Sequence, residues 1–134
     1  MFDELEEIFD KMPYQKVEGI LNQLVIDSNT GKPNLLVYTF LWTKLIKRET
    51  ATYHLIASKI MGLTLNYTDK GEEIGLYHGL RASALEPDNI DILEYLLYFN
   101  HIPEKVLSDE MAVSFAKRII IQKPDSLVAK MTLG

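Results

Sequence analysis

The stretch Leu80–Phe99 reads LRASALEPDNIDILEYLLYF, and it determines the fold expected for the whole chain. Two apolar runs with helical spacing flank the segment Pro87-Asp88-Asn89. A residue that precedes proline is disfavoured in the α region, so the first helix should end near Glu86. Asp88 and Asn89 can each cap the following helix by accepting hydrogen bonds from its first backbone N–H groups. The stretch therefore predicts two helices that fold back on each other as a hairpin.

The same pattern returns near the end of the chain. Lys123-Pro124-Asp125-Ser126 follows another apolar helical run, and its proline lies 37 residues after Pro87. Small residues, Gly75 and Ala112, lie twelve positions before the two prolines. This arrangement resembles the tetratricopeptide repeat, a helix–turn–helix unit with small residues where its helices touch and a proline at its end. The resemblance covers roughly residues 74–134 and implies a right-handed α-α superhelix of helical hairpins.

Helical spacing of apolar residues extends over most of the remaining chain. The sequence predicts about eight helices and no strand: 2–12, one that opens at Pro13, 35–46, one that begins at Thr50 or Thr52, 72–85, 90–99, one that opens at Pro103, and one that begins at Asp125 or Ser126. Polar residues with Gly and Pro predict loops at 27–33 and 63–71. We expect a single domain over residues 1–134, with an N-terminal helical pair (1–26) and repeat-like hairpins (33–134).

The most apolar part of the chain is 35–46, which reads LLVYTFLWTKLI. A helix that is apolar nearly all round is covered on several sides. Its β-branched and aromatic residues would also suit a strand, but its length and its helical neighbours favour a helix. We therefore expect a buried helix, with Phe40 and Trp42 in the protein interior.

Composition limits the classes of function. The chain of 134 residues is 47% hydrophobic and 25% charged, as expected for one globular domain. No apolar run reaches the roughly 20 residues that span a bilayer, and the acidic N-terminus is unlike a signal peptide, so we expect a cytoplasmic protein. The absence of cysteine excludes disulfides, thiol catalysis and cysteine-bound zinc. A net charge of −5 disfavours binding to nucleic acid or to anionic membranes.

Catalytic motifs are missing from the sequence. The three histidines, His54, His78 and His101, have neither the HExxH pattern nor the i, i+4 spacing of a helical zinc site. His54 and His78 lie on consecutive predicted helices and could meet, with Glu72 or Glu73 near the start of the second helix. Such a group suits acid–base chemistry in a hydrolase or nuclease, or it simply makes hydrogen bonds between helices or faces solvent. We predict no catalytic residue, metal or cofactor.

Charge is distributed unevenly along the chain. Residues 72–110 contain nine acidic and two basic residues, whereas residues 44–59 contain four basic residues and one acidic residue. Such an excess is either a solvated face or a surface for a basic partner.

In tetratricopeptide repeats, residues of the first helix line a concave groove. The resemblance places five residues of this chain there: Asp91, Glu94, Tyr95, Tyr98 and His101. This acidic and aromatic strip suits a basic protein surface, because tyrosines supply rigid contact area beside the charges. Alternatively, Tyr95 and Tyr98 pack against the neighbouring helix. As solvated carboxylates, Asp91 and Glu94 are expected to contribute little to stability.

A second resemblance bears on function. The segments His54–Ser58, Glu72–His78 with Arg81-Ala82, LEPDN, and Leu96–Asn100 through Ile102-Pro103-Glu104 resemble small bacterial immunity proteins of polymorphic (contact-dependent inhibition) toxin systems. The resemblance implies a cytoplasmic protein that binds one cognate toxin domain, often a nuclease, and blocks its active site. An acidic face would occupy the basic surface on which a nuclease binds its substrate. The alternatives are a tetratricopeptide-like adaptor that binds a peptide or protein, and a hydrolase that uses the two histidines with Glu72 or Glu73.

Overall fold

The computed structural model describes residues 11–24, 36–65 and 68–134. The helices, in chain order, are α1 (Tyr14–Leu24), α2 (Leu36–Lys47), α3 (Ala51–Lys59), α4 (Gly71–Leu85), α5 (Ile90–Leu96), α6 (Tyr98–His101), α7 (Asp109–Gln122) and α8 (Leu127–Leu133). These ranges contain no strand, which confirms the all-α prediction. The arrangement of the helices as tetratricopeptide-like repeats in a right-handed superhelix stays a prediction. The loop predicted at 27–33 and nearly all of the helix predicted at 2–12 lie outside the described residues.

Local capping signals place several helix starts as predicted. The side chains of Thr50, Asn89 and Ser126 accept hydrogen bonds from the backbone N–H groups three residues later, at N···O distances of 3.3, 3.4 and 3.4 Å. The two proline segments form tight turns, because Asn89 N–H donates to Glu86 O and Ser126 N–H donates to Lys123 O, each at 3.1 Å. Helix α4 packs on α5, and α7 packs on α8, as expected for helical hairpins.

The helix predicted to open at Pro103 begins instead at Asp109, so this prediction is wrong. Ser108 caps α7 by accepting a hydrogen bond from Met111 N–H at 3.3 Å, and two acidic residues follow in its first turn, where they complement the helix dipole. The residues between α6 and α7 form an irregular segment that Asn100 holds in place. Its Nδ2 donates to Leu107 O at 3.0 Å and to Asp109 Oδ1 at 2.8 Å. The helix predicted at 90–99 is interrupted at Leu97.

Helix α3 continues into a π-helical turn at Ile60–Thr64, so the loop predicted at 63–71 begins later, at Leu65. The turn is closed by a hydrogen bond from Leu65 N–H to Ile60 O at 2.8 Å, which spans five residues. It brings Gly62 against Gly75 of α4 so closely that the two backbones touch. Glycine is required at this crossing because a Cβ atom on Gly75 would lie 2.7 Å from Gly62 Cα.

Two clusters of buried apolar side chains form the core. One cluster contains side chains from all four helices α1, α2, α3 and α4, and it includes Phe40, which is buried as predicted. The other joins the helices from α3 to α8 around Phe99. The prediction that Trp42 is in the interior is wrong, because 38% of it is exposed. Leu36 and Ile46 of the same helix are exposed as well, so α2 is covered on only part of its surface by the helices in the described ranges.

Within the described ranges, no helix combines the length and the apolar character needed to cross a bilayer.

Candidate functional site

Four of the five residues predicted to bind a partner line one open groove. Helices α5 and α6 contribute Glu94, Tyr95, Tyr98 and His101, while three apolar residues, Leu63 of the π-helical turn and Val128 and Met131 of α8, complete the walls. The groove has a volume of about 410 Å³. The fifth residue, Asp91, lies one turn earlier on α5 and lines a neighbouring depression between α1, α3 and α5.

The tyrosines of the groove are held by the core beneath them. Tyr95 and Tyr98 make edge contacts with Phe99, with ring centroids 5.6 and 5.2 Å apart. The hydroxyl of Ser58 donates to Gly75 O, so the Tyr95 hydroxyl donates to Ser58 Oγ, at 2.8 Å. Burial raises the pKa of Tyr95, which therefore stays protonated. The two rings thus form a rigid wall with an apolar edge toward the groove.

Glu94 is not the solvated carboxylate that the sequence led us to expect. It accepts hydrogen bonds from Ser126 Oγ at 2.6 Å and from Lys123 Nζ at 3.0 Å. These contacts, above all that of Ser126, lower the pKa of the Glu94 carboxyl group. The turn at Pro124 brings both donors onto α5, so the charge of Glu94 is compensated within the chain. Asp91 is exposed, as expected.

His101 and Met131 stand at the open side of the groove. The hydroxyl of Thr132 donates to Val128 O, so His101 Nε2–H donates to Thr132 Oγ1, at 3.0 Å, and links α6 to α8. Met131 is 71% exposed, and Leu63 opposite is also exposed. The predicted strip is therefore an aromatic and apolar groove rather than a row of open carboxylates.

The two histidines on α3 and α4 meet, as the hairpin predicts. His54 Nδ1 lies 2.9 Å from His78 Nδ1, and both rings are buried. Their acidic partner is Glu49, whose Oε1 lies 2.7 Å from His54 Nε2. Neither Glu72 nor Glu73 belongs to this network; both lie in the first turn of α4. In the sequence, Glu49 directly precedes Thr50, the residue that caps α3, and this position was the one indication that Glu49 could contact His54.

A chain of hydrogen bonds runs from Arg81 through Glu49 and the two histidines to Tyr38. Arg81 donates to Glu49 Oε1 from Nε at 3.0 Å and from Nη2 at 2.8 Å, and these bonds lower the pKa of Glu49. The ionised carboxylate can only accept, so His54 Nε2–H donates to it. One hydrogen bond joins His54 Nδ1 to His78 Nδ1, and His78 Nε2 lies 2.7 Å from the Tyr38 hydroxyl.

This network is poorly suited to proton transfer. Burial and, to a lesser extent, His54 lower the pKa of His78 to about 4, while burial raises the pKa of Tyr38 above its usual value of 10. Both shifts oppose transfer of a proton from Tyr38 to His78. The described part of the chain also contains no group of three His, Asp or Glu residues arranged to hold a metal ion. The network joins α2, α3 and α4.

Exposed aromatic side chains cover the histidine pair. The rings of Trp42 and Tyr77 lie against His78, with centroids 5.4 and 5.1 Å from it, and both are partly exposed. Ile46, one turn after Trp42, is 79% exposed, and Arg81, one turn after Tyr77, is 42% exposed at its side chain. We call these four residues the aromatic surface. Sequence reasoning missed it because the whole of α2 was assigned to the core.

Two places among the described residues thus offer apolar and aromatic contact area: the groove beside α8 and the aromatic surface on α2 and α4. No protein-family model, curated protein or solved structure matches this chain.

Proposed function

We propose that this chain is a protein-binding module that accepts apolar side chains of a partner protein in the groove between α5, α6, α8 and the π-helical turn. The observation that carries the proposal is the convergence of Leu63, Tyr98 and Met131 from three separate elements on one open groove. Leu63 and Met131 expose apolar area to solvent, and a partner side chain would remove that area from water.

The construction of the groove suits recognition of a protein. Binding energy at protein interfaces is concentrated in a few aromatic and other large residues that are already held in place before the partner arrives. Contacts with Phe99 fix Tyr95 and Tyr98, and the hydrogen bond from Tyr95 to Ser58 fixes one of them further. Little side-chain freedom is therefore lost when a partner binds.

The partner that best fits this chain is a folded toxin domain with a basic surface, which makes the chain a cytoplasmic immunity protein. The resemblance to immunity proteins supports this proposal, and so does the charge of the chain. Glu86, Asp88 and Asp91 are exposed around the start of α5, and the chain carries a net charge of −5. Acidic charge of this kind would accelerate association with a basic partner, whose apolar side chains the groove would then hold.

The groove also supports a second candidate, an adaptor that binds an extended peptide, because an open apolar groove suits a peptide as well as a folded domain. Binding of one folded domain that weakens as salt rises favours an immunity protein. Micromolar binding of an isolated peptide favours an adaptor. A hydrolase finds little support, since both histidines are buried and the pKa of His78 is about 4.

The test uses the protein encoded beside this chain in its genome. We expect the variable C-terminal domain of a large secreted protein encoded immediately upstream to arrest growth, and this chain to restore it and to bind the domain one to one. Met131→Ser should weaken binding about tenfold, and Tyr98→Ala should do so mainly through faster dissociation. Ile121→Ser is the matched control, because Ile121 is 80% exposed on α7, away from the groove.

Two results would contradict the proposal. If calorimetry gives the same affinity for Met131→Ser, Tyr98→Ala and the wild type, the groove is not part of the interface. If cells stay arrested although both proteins are expressed and folded, the chain is not an immunity protein for this toxin domain.

A further inference from the structure

The aromatic surface has the composition of a binding site but does not belong to the groove. Trp, Tyr and Arg are the residue types that most often dominate the energy of protein interfaces. Here Trp42, Tyr77 and Arg81 lie together on α2 and α4, and Ile46 extends the apolar area by one helical turn. The groove is lined by other elements, namely the π-helical turn, α5, α6 and α8.

The buried network beneath this surface fixes its side chains. The imidazole of His78 contacts the rings of both Trp42 and Tyr77, and it is itself held by Tyr38 and His54. The same network holds Arg81, because its guanidinium and His54 Nε2 both donate to Glu49 Oε1. Trp42, Tyr77 and Arg81 are therefore oriented before any partner binds, which reduces the entropy lost on association.

Charge around the aromatic surface points to the chemistry of the partner. Lys47 and Arg48 are exposed directly after Ile46, at the end of α2. Arg81 donates to Glu49 through Nε and Nη2, and its Nη1 makes no hydrogen bond to another described residue. Glu49 is the one acidic residue in the segment 46–49, and Lys47 and Arg48 outnumber it. A rim of this sign attracts carboxylates and repels a basic segment.

We propose that the aromatic surface binds an acidic protein segment that carries an apolar or aromatic anchor residue. The anchor packs between Trp42 and Tyr77, beside Ile46, and the carboxylates of the segment pair with Arg48 and Arg81. This site is separate from the groove, which we propose for a basic partner, so each site can fail its test while the other passes.

The test selects ligands for the full chain from a phage-displayed library of random peptides about 12 residues long. The enriched peptides should carry Asp or Glu around Trp, Phe or Leu. Their binding should shift the emission of Trp42, the single tryptophan, to shorter wavelength, because the bound anchor removes water from the indole. Peptides that are basic, or a library that yields no binder, would overturn the proposal.

Variants then locate the site. Ile46→Glu places a carboxylate against the acidic peptide and should weaken binding at least about tenfold. Ile121→Glu is the control: the two isoleucines are 79% and 80% exposed, and this variant should stay within about twofold of the wild type. Circular dichroism verifies that both variants are folded. Equal losses in the two variants, or a loss with Met131→Ser but not with Ile46→Glu, would overturn the proposal.

Discussion

Replacement of Gly75 by alanine tests the close crossing between α4 and the π-helical turn. A Cβ atom on Gly75 would lie 2.7 Å from Gly62 Cα, 2.8 Å from Gly62 N and 3.0 Å from Ser58 O. Carbon atoms normally approach to about 3.5–4.0 Å. All three obstructing atoms belong to the backbone, so no rotation of a side chain relieves the overlap. The two elements must move apart by roughly 1 Å.

The expected cost follows from three terms. Overpacking of a tightly packed site costs about 1–3 kcal/mol. Separation of the elements also weakens the hydrogen bond from Ser58 Oγ to Gly75 O, which is worth about 1 kcal/mol. Alanine restores about 1 kcal/mol, because glycine is the poorer helix former. The last two terms offset each other, so Gly75→Ala should lower the free energy of unfolding by about 1–3 kcal/mol.

Urea unfolding followed by circular dichroism measures this loss, and the midpoint should fall by roughly 0.5–2 M. Gly19→Ala is the matched control, because Gly19 lies inside α1 and, apart from its chain neighbours and the backbone of its own helix, no atom lies within 4 Å of the added Cβ. That variant should gain about 0.5–1 kcal/mol. A Gly75→Ala protein whose midpoint equals or exceeds that of the wild type would refute the close crossing and, with it, the geometry of the π-helical turn.

Two further predictions concern charged and titratable groups. Glu94→Ala should lower the free energy of unfolding by about 1.5–3 kcal/mol, because it removes the group that accepts hydrogen bonds from Ser126 and Lys123. Asp91→Ala on the same helix should change this free energy by less than about 0.5 kcal/mol. Equal urea midpoints for the two variants would contradict the role assigned to Glu94. The pKa of His78 falls from its usual 6.5 to about 4 on folding, so the unfolded chain binds more protons than the folded chain between these pH values. The contribution of His78 to the free energy of unfolding is therefore fully present above pH 6.5, and it should decline by roughly 3 kcal/mol as the pH falls to about 4. Urea midpoints measured across this range should fall less for His78→Leu than for the wild type, and parallel curves would rule out His78 as the source.

Structural features that depend on residues close together in the chain could be predicted from the sequence. Thr50 and Ser126 start helices because a side-chain oxygen satisfies a backbone N–H group three residues away, and the turns at Pro87 and Pro124 follow from the restriction on the residue before proline. The meeting of His54 with His78 follows in turn from the pairing of α3 with α4.

Other features depend on residues that are distant in the sequence. Pro103 and Ser108 both suit a helix start, and Asn100 favours the second by bonding the backbone of the segment between them. Trp42 is exposed because helices cover only part of α2, which the apolar pattern of α2 alone cannot show. The charge of Glu94 is compensated by a turn about 30 positions later, so its environment could not be derived from α5.

The π-helical turn at Ile60–Thr64 also restricts how this chain can change in length. Loss of one residue here would turn the five-residue hydrogen bond from Leu65 to Ile60 into the ordinary four-residue bond and would leave the flanking residues nearly in register. The residues inside the turn would shift, however, and these include Gly62, which meets Gly75, and Leu63, which lines the groove. A homologous chain with a one-residue gap between Ser58 and Leu65 should therefore have a regular α-helix here and should not require the pair of glycines.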